Sequence, residues 1–183
     1  MELPERVLAA PVLLRHFEAA DAPDVRRLAD DWEVARWTAA LPHPYAEGMA
    51  EAWIAGHADA RVRSGEHAYA ITRTGDGTLV GALGIRPEAN VHGHFGYWIG
   101  RAHWGEGCAT AATRAAIAIL FARTDLDAVW AVHLVANVAS ARVMEKCGLR
   151  VLREEERTHR GQPRAFHVRG IARAAWDALR GCG

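Results

Sequence analysis

Two stretches of the chain hold residues whose types and spacing could do chemistry. In the first, Gly105 and Gly107 bracket Glu106. Glycine lets a backbone turn sharply, and without a Cβ a ligand can approach the main chain. The segment that follows has Ala109, Ala112, Ala116, Ile117, Leu120 and Phe121 at spacings of three and four, which predicts a helix with one apolar stripe. The free N–H groups at its start, with a dipole of roughly half a positive charge, form a site for a phosphate or diphosphate. A plain strand-to-helix turn would use the same glycines for geometry alone. In the second stretch Asn137 stands where a helix N-cap is expected, and Ser140 lies one turn on. Arg142 and Lys146 follow a turn apart, on a face that could meet phosphate or simply solvent.

The elements needed to position these residues are readable in turn. Phe95, Tyr97, Trp98 and Ile99 predict a strand running into the glycine turn. Upstream, 11–17 reads as a first strand, and 22–30 and 32–37 as short helices with Asp21 or Asp24 as cap. The two prolines of 41–45 mark a loop, and 46–62 reads as one helix ended by Gly65. Strands at 67–73 and 78–85 are joined by a glycine-containing hairpin turn, and 87–91 turns into the strand that starts near His92. After the long helix come a strand over 127–135, the helix opened by Asn137 and closed by Gly148, and a hairpin of 149–158 with 164–171. A helix over 172–180 ends the order. The expectation is one α/β (α+β) domain over residues 1–183, built around a twisted, mostly antiparallel sheet with helices on both faces.

Composition narrows the function classes. Lys plus Arg and Asp plus Glu number 22 each among 183 residues, so nothing suggests a dedicated nucleic-acid or membrane binder. Cys108, Cys147 and Cys182 are odd in number and lack C-x-x-C spacing, which argues against a disulfide framework or zinc site and suits a reducing, cytoplasmic setting. The apolar run 7–14 is preceded by Glu2 and Glu5 and interrupted by Pro11, and reads as the lead-in to a first strand, not a targeting segment. No run approaches a membrane span. A P-loop or dinucleotide binder is disfavoured, since there is no G-K-[ST] and no G-x-G-x-x-G after a first parallel strand. No histidine pair has i, i+4 metal spacing, so no metal is expected.

Taken together, the wording GYWIG…WGEGCAT…NVASARVMEKCGL resembles the GNAT superfamily of acyl-CoA-dependent N-acyltransferases, most closely the RimJ/RimL branch of ribosomal-protein N-terminal acetyltransferases. The order of elements above is also that family's order. The resemblance implies acetyl-CoA as cofactor and a V-shaped cleft where the strand ending at Ile99 parts from the one beginning near Asp127. The family's phosphate loop falls on Trp104, Gly105, Glu106, Gly107, Cys108 and Ala109, with Trp104 in place of Gln or Arg, which removes one polar contact. Backbone amides of 105–109, and Thr110, would hold the pyrophosphate. The main chain of Ile99, Gly100 and Arg101 would pair with the pantetheine arm, as would Asn137. Ser140 would protonate the departing thiolate, whose conjugate acid has a pKa of about 8 to 9.

The resemblance further implies transfer to a primary amine, a protein N-terminus or a small molecule, by direct attack in a ternary complex, in a monomer or homodimer. Many members of the branch carry glutamate where this chain has His94, and histidine, titrating at about pH 6.5, suits a general base. His133 and Glu154, Glu155 and Glu156 are other candidates. Trp32, Trp37, His43, Tyr45 and Trp53 could wall an acceptor pocket or belong to the core. Asp30, Asp31 and Glu33 could attract a cationic amine or face solvent. A non-catalytic acyl-CoA-binding or sensing module is the alternative, with the His94 departure as its only hint.

Overall fold

The computed structural model of the chain describes residues 3–87 and 92–181. The turn expected over 87–91 and Cys182 fall largely or wholly outside the described residues. The run 7–14 is more than a lead-in. Val7 and Leu14 face each other across a hairpin of β1 (Arg6–Ala9) and β2 (Val12–His16), with Pro11 in the turn where its missing N–H costs no ladder bond. Helices α1 (Ala22–Ala29) and α2 (Trp32–Ala35) follow as expected, with Asp31 capping α2. The run 46–62 is not one helix. It divides at Gly56 into α3 (Met49–Ala55) and α4 (His57–Ser64), since glycine is a costly residue to hold in a helix interior.

The remaining elements keep the expected order. Strands β3 (His67–Arg73), β4 (Leu79–Pro87) and β5 (His92–Ile99) form an antiparallel meander. Then come α5 (Cys108–Arg123), β6 (Ala128–Leu134) and α6 (Val138–Lys146). The chain closes with β7 (Arg150–His159), β8 (Gln162–Ala172) and α7 (Arg173–Gly181). The last hairpin turns on two residues, Arg160 and Gly161, both at positive φ, tighter than the four expected. The result is one mixed sheet of eight strands in the order β1-β2-β3-β4-β5-β6-β8-β7, antiparallel at every pair except β5–β6.

Strand alternation divides the apolar residues between two cores. Tyr69, Ile71, Leu83, Ile85, Phe95 and Ile99 pack against α5, α6 and Trp176 of α7 on one face. Ala70, Ala82 and Trp98 meet α1, α2 and α3 on the other. Helix α5 buries more than the single stripe expected: Thr113, Ala115 and Ile119 are buried as well, because α5 packs on the sheet and on α6 together. Gly100 marks where α1 meets the end of β5. A Cβ there would lie 2.5 Å from Leu28 Cδ2, so a larger residue would have to displace the Leu28 side chain.

Under α4, the rings of His16, His57 and His67 each bury a nitrogen with no hydrogen-bond partner among the described residues. Burial first, and the Arg61 guanidinium second, push the His57 imidazole down from 6.5 to about 4, against the opposing pull of Glu66. Burial also lowers His16 and His67. The folded protein therefore holds these rings neutral while the unfolded chain takes up protons from about pH 6.5 downward. For His57, stability present above pH 6.5 is lost as pH falls toward 4, by up to about 1.4 kcal/mol per pH unit, and His16 and His67 act in the same direction. Melting temperature measured from pH 7 to pH 4.5 is expected to fall, and His57→Phe to flatten the slope; an unchanged slope in that variant would show that the cluster does not govern acid sensitivity.

Candidate active site

The two central strands part. β5 and β6 pair at three positions only, His92↔Ala128, Gly93↔Val129 and His94↔Trp130. Beyond these, β5 stays bonded to β4 as far as Ile99, and β6 to β8 as far as Leu134. Residues 95–99 and 131–134 therefore border a V-shaped gap, held open because each strand is anchored along its far edge. The Gly100 N–H bonds Val80 O at 2.8 Å. By alternation, Phe95, Tyr97 and Ile99 turn their N–H and C=O groups away from β4, into the gap.

The residues expected to hold phosphate, 104–110, follow the open end of the gap. Gly105 (φ 84°) and Gly107 (φ 81°) are left-handed, a conformation glycine adopts without strain. A Cβ at either would meet nothing within 4 Å, so the space beside the loop is open to a ligand. Gly107 caps α5 but brings no side chain to accept its first N–H groups. A diphosphate fits that description: it needs donors and room. Glu106 is exposed, with its carboxylate 3.8 Å from His103 Nδ1, so only its amide suits an anion. Ala109 and Thr110 are half-buried, and Cys108 is buried with its thiol pushed up by burial and then by Glu106.

Trp104 supplies a polar contact. Its indole Nε1–H donates to Ile99 O at 2.8 Å and ties the turn to the end of β5. Gly100 O accepts from His103 N, and Arg101 O from Trp104 N. Much of the main chain of 99–101 is thus engaged internally, and among the described residues no backbone partner is seen for Arg101 N–H, while Ile99 N–H turns toward the gap.

Helix α6 forms the other side of the site. Asn137 Oδ1 accepts from Ser140 N at 3.0 Å, so the expected cap is present and the side-chain NH2 is what Asn137 can offer a ligand. Ser140 Oγ lies 3.0 Å from the Tyr97 hydroxyl. Tyr97, read from sequence only as a strand residue, joins β5 to α6; burial pushes its phenol up to about 12 against the pull of Ser140. At the far end of α6, Cys147 Sγ reaches Thr110 O at 3.6 Å, and Arg114 donates to Lys146 O at 3.1 Å. The end of α6 therefore packs on the first turns of α5, with Arg142 and Lys146 both exposed. One end of α6 thus meets the first turns of α5, and the other end, with Asn137 and Ser140, meets Tyr97 of β5.

The base candidates separate. His94 occupies the last paired position, its ring 4.4 Å from that of Trp130. It shares strand parity with Trp98, so it faces the α1–α3 side while Tyr97 faces the α5 side. His133 is buried and committed: one ring nitrogen, Nδ1, meets Leu134 O at 2.8 Å, and Nε2 accepts from Arg169 Nε at 2.9 Å. Arg169 also bonds Glu145 Oε1 at 2.8 Å, so this network, buried at Arg169 and His133 and exposed at Glu145, fastens α6 to β6 and β8. A histidine whose lone pair is already taken is a poor proton acceptor. Glu154, Glu155 and Glu156 stand on β7, the outer edge strand, two strands from the gap. Glu155 is paired with Arg153 and Arg157, and Glu154 lies 3.2 Å from His167.

Of the expected acceptor walls, Tyr45 is core, and Trp53 packs against that core, edge-on to Phe17 and His57. Trp32 and His43 remain partly exposed, ring to ring at 5.3 Å, with Arg160 over Trp32 at 5.1 Å. Trp37 lies under Arg36. Asp30 accepts from Tyr45 N, Asp31 caps α2, and Glu33 pairs with Arg36, so all three acids have local work. Arg160 also donates to Ala35 O and Leu41 O, each at 2.7 Å, which ties the β7–β8 turn to the α2 region.

Comparison with known proteins agrees with this geometry. The GNAT acetyltransferase domain model matches residues 12–150. No curated protein matches the sequence at a significant level. Among solved structures, a GNAT-family acetyltransferase from Bacillus anthracis is similar at TM-score 0.80 and 20% identity, over 91% of this chain and 98% of that one. A RimL ribosomal L7/L12 alpha-N-protein acetyltransferase in complex with coenzyme A is similar at TM-score 0.81 and 16% identity, over 93% and 99%. A spermidine N-acetyltransferase from Vibrio cholerae in complex with CoA and spermine is similar at TM-score 0.75 and 18% identity, over 91% and 98%. With a split sheet, a glycine loop heading α5 and a family model covering most of its length, the chain belongs to the GNAT acetyltransferases.

Proposed function

We propose that this protein transfers the acetyl group of acetyl-CoA to a primary amine, by direct attack within a ternary complex. The observation that carries the reading is the gap between β5 and β6, with the glycine loop at its open end and Ser140 beside Tyr97 along its wall. Acetyl-CoA, when bound, supplies an acyl group activated as a thioester. The amides of 105–109 and Thr110 hold the diphosphate, and Arg142 and Lys146 add positive charge. The N–H groups of Ile99 and Arg101 and the side-chain NH2 of Asn137 hold the pantetheine arm. Ser140 offers its hydroxyl proton to the departing sulfur, where charge develops. His94, at the closed end of the gap and on the opposite face, accepts the proton that the attacking nitrogen sheds.

Direct transfer is favoured over an acyl-cysteine route. Burial raises the Cys108 thiol and pushes Cys147 up to about 11, so neither is a thiolate nucleophile at neutral pH. A protein N-terminus and a polyamine are both in range as acceptor, since the similar structures include a ribosomal-protein and a spermidine acetyltransferase. Free, buried Cys108 and Cys147 are in keeping with a reducing, cytoplasmic setting. No helix among the described residues is long and apolar enough to cross a membrane.

Thiol release from acetyl-CoA, measured against a panel of polyamines and N-terminal peptides, tests the activity. Release with at least one amine is expected; tight binding of coenzyme A without release for any acceptor would favour a binding or sensing module. Ser140→Ala is expected to lower kcat by roughly 100-fold with little change in acetyl-CoA affinity, and unchanged kcat removes Ser140 from the mechanism. His94→Ala is expected to lower kcat and to remove its rise with pH through the histidine range at saturating amine; a kcat profile unchanged in that range assigns the base elsewhere.

A further inference from the structure

Tyr97 and Ser140 are 43 residues apart in sequence, yet their hydroxyl oxygens meet at 3.0 Å across the join between β5 and α6. Two hydroxyls can share one hydrogen bond in two ways. When Ser140 donates to Tyr97, its only proton is spent inside the wall. When Tyr97 donates to Ser140, the serine proton is left to turn into the gap. The phenol is the better donor and the poorer acceptor, because its oxygen lone pair is delocalised into the ring. Both partners are also held in place. Tyr97 sits in a ladder paired to Leu83 of β4, with its ring against the α5 core. Ser140 has its own N–H tied to Asn137 Oδ1, which fixes the first turn of α6.

Resting on the acetyl-transfer reading above, we propose that Tyr97 is a positioning residue: it donates its O–H to Ser140 Oγ and so turns the Ser140 hydroxyl proton toward the leaving sulfur. Burial keeps the phenol protonated throughout the neutral range, so the donor is always loaded. Tyr97 itself need not touch the thioester. It acts through Ser140, and its contribution disappears when that hydroxyl is absent.

The test is a double-mutant cycle on the full chain, read as kcat with a responsive amine and as the dissociation constant for acetyl-CoA. Tyr97→Phe keeps the ring and removes one oxygen; kcat is expected to fall roughly 10-fold, the worth of one oriented hydrogen bond, with affinity for acetyl-CoA unchanged. In the Ser140→Ala background the same change is expected to cost nothing further. Wild-type kcat in Tyr97→Phe, or losses that multiply in the double variant, would overturn the proposal, since a purely structural tyrosine would act independently of the serine hydroxyl. Should Tyr97→Phe fail to fold, 3-fluorotyrosine at position 97 gives a stronger donor of nearly the same size. It should retain or raise kcat, and a fall overturns the proposal. A wild-type protein inactive toward every amine would refute the acetyl-transfer reading first, and this inference with it.

Discussion

Everything distinctive about this molecule depends on two central strands that stop pairing. A sheet gains from closing every backbone hydrogen bond, and a run of unpaired N–H and C=O groups inside it is costly unless something else meets them. Here β5 and β6 bond at three positions and then diverge, while β4 and β8 hold their outer edges. The groups turned into the gap are left for water, for a ligand or for the chain itself. Some are met internally, Ile99 O by the Trp104 indole and Leu134 O by Asn137 N and the His133 ring. The rest make a slot lined with main-chain donors and acceptors, suited to an extended arm that can pair as a third strand would.

The helices complete the slot because each begins where a strand of the gap ends. α5 starts after β5, with no side-chain cap on its first N–H groups and with open space beside Gly105 and Gly107. α6 starts after β6 and brings Asn137 and Ser140 to the wall that carries Tyr97. Its far end returns to α5 through Cys147 and Arg114. Buried polar groups maintain this arrangement. Arg169 joins His133 on β6 to Glu145 on α6, so the helix bearing Ser140 is fastened to the sheet by a network whose members all have partners.

How much of this was legible beforehand differed by kind of residue. The strand over 92–99, the glycine turn, the α5 helix and the Asn137 cap are local patterns, and they fold where the pattern puts them. Errors arose where a local signal competed with packing. The run 46–62 has helical apolar spacing, but left-handed Gly48 delays the start to Met49 and Gly56 divides the rest, α3 packing on α1 and α4 on β3. The 7–14 run hides a hairpin because proline can occupy a turn as readily as it can interrupt a strand. For Tyr45 and Trp53 both wall and core were open, and packing decides for the second core.

Sequence by itself determined the chemistry on offer: glycines where backbone must be bare, a capping asparagine, a serine one turn on, and alternation that sends Tyr97 and Trp98 to opposite faces. Those properties follow from φ/ψ limits and from the periods of strand and helix, which act over a few residues. Only the tertiary structure decided which groups meet. That Tyr97 faces Ser140, that His133 surrenders its lone pair to Arg169, and that His94 lies across the sheet from the serine all depend on strand order and on how α6 seats against β5 and β8. Such contacts join residues dozens of positions apart, and no short-range pattern encodes a distance that is set by the packing of the whole sheet.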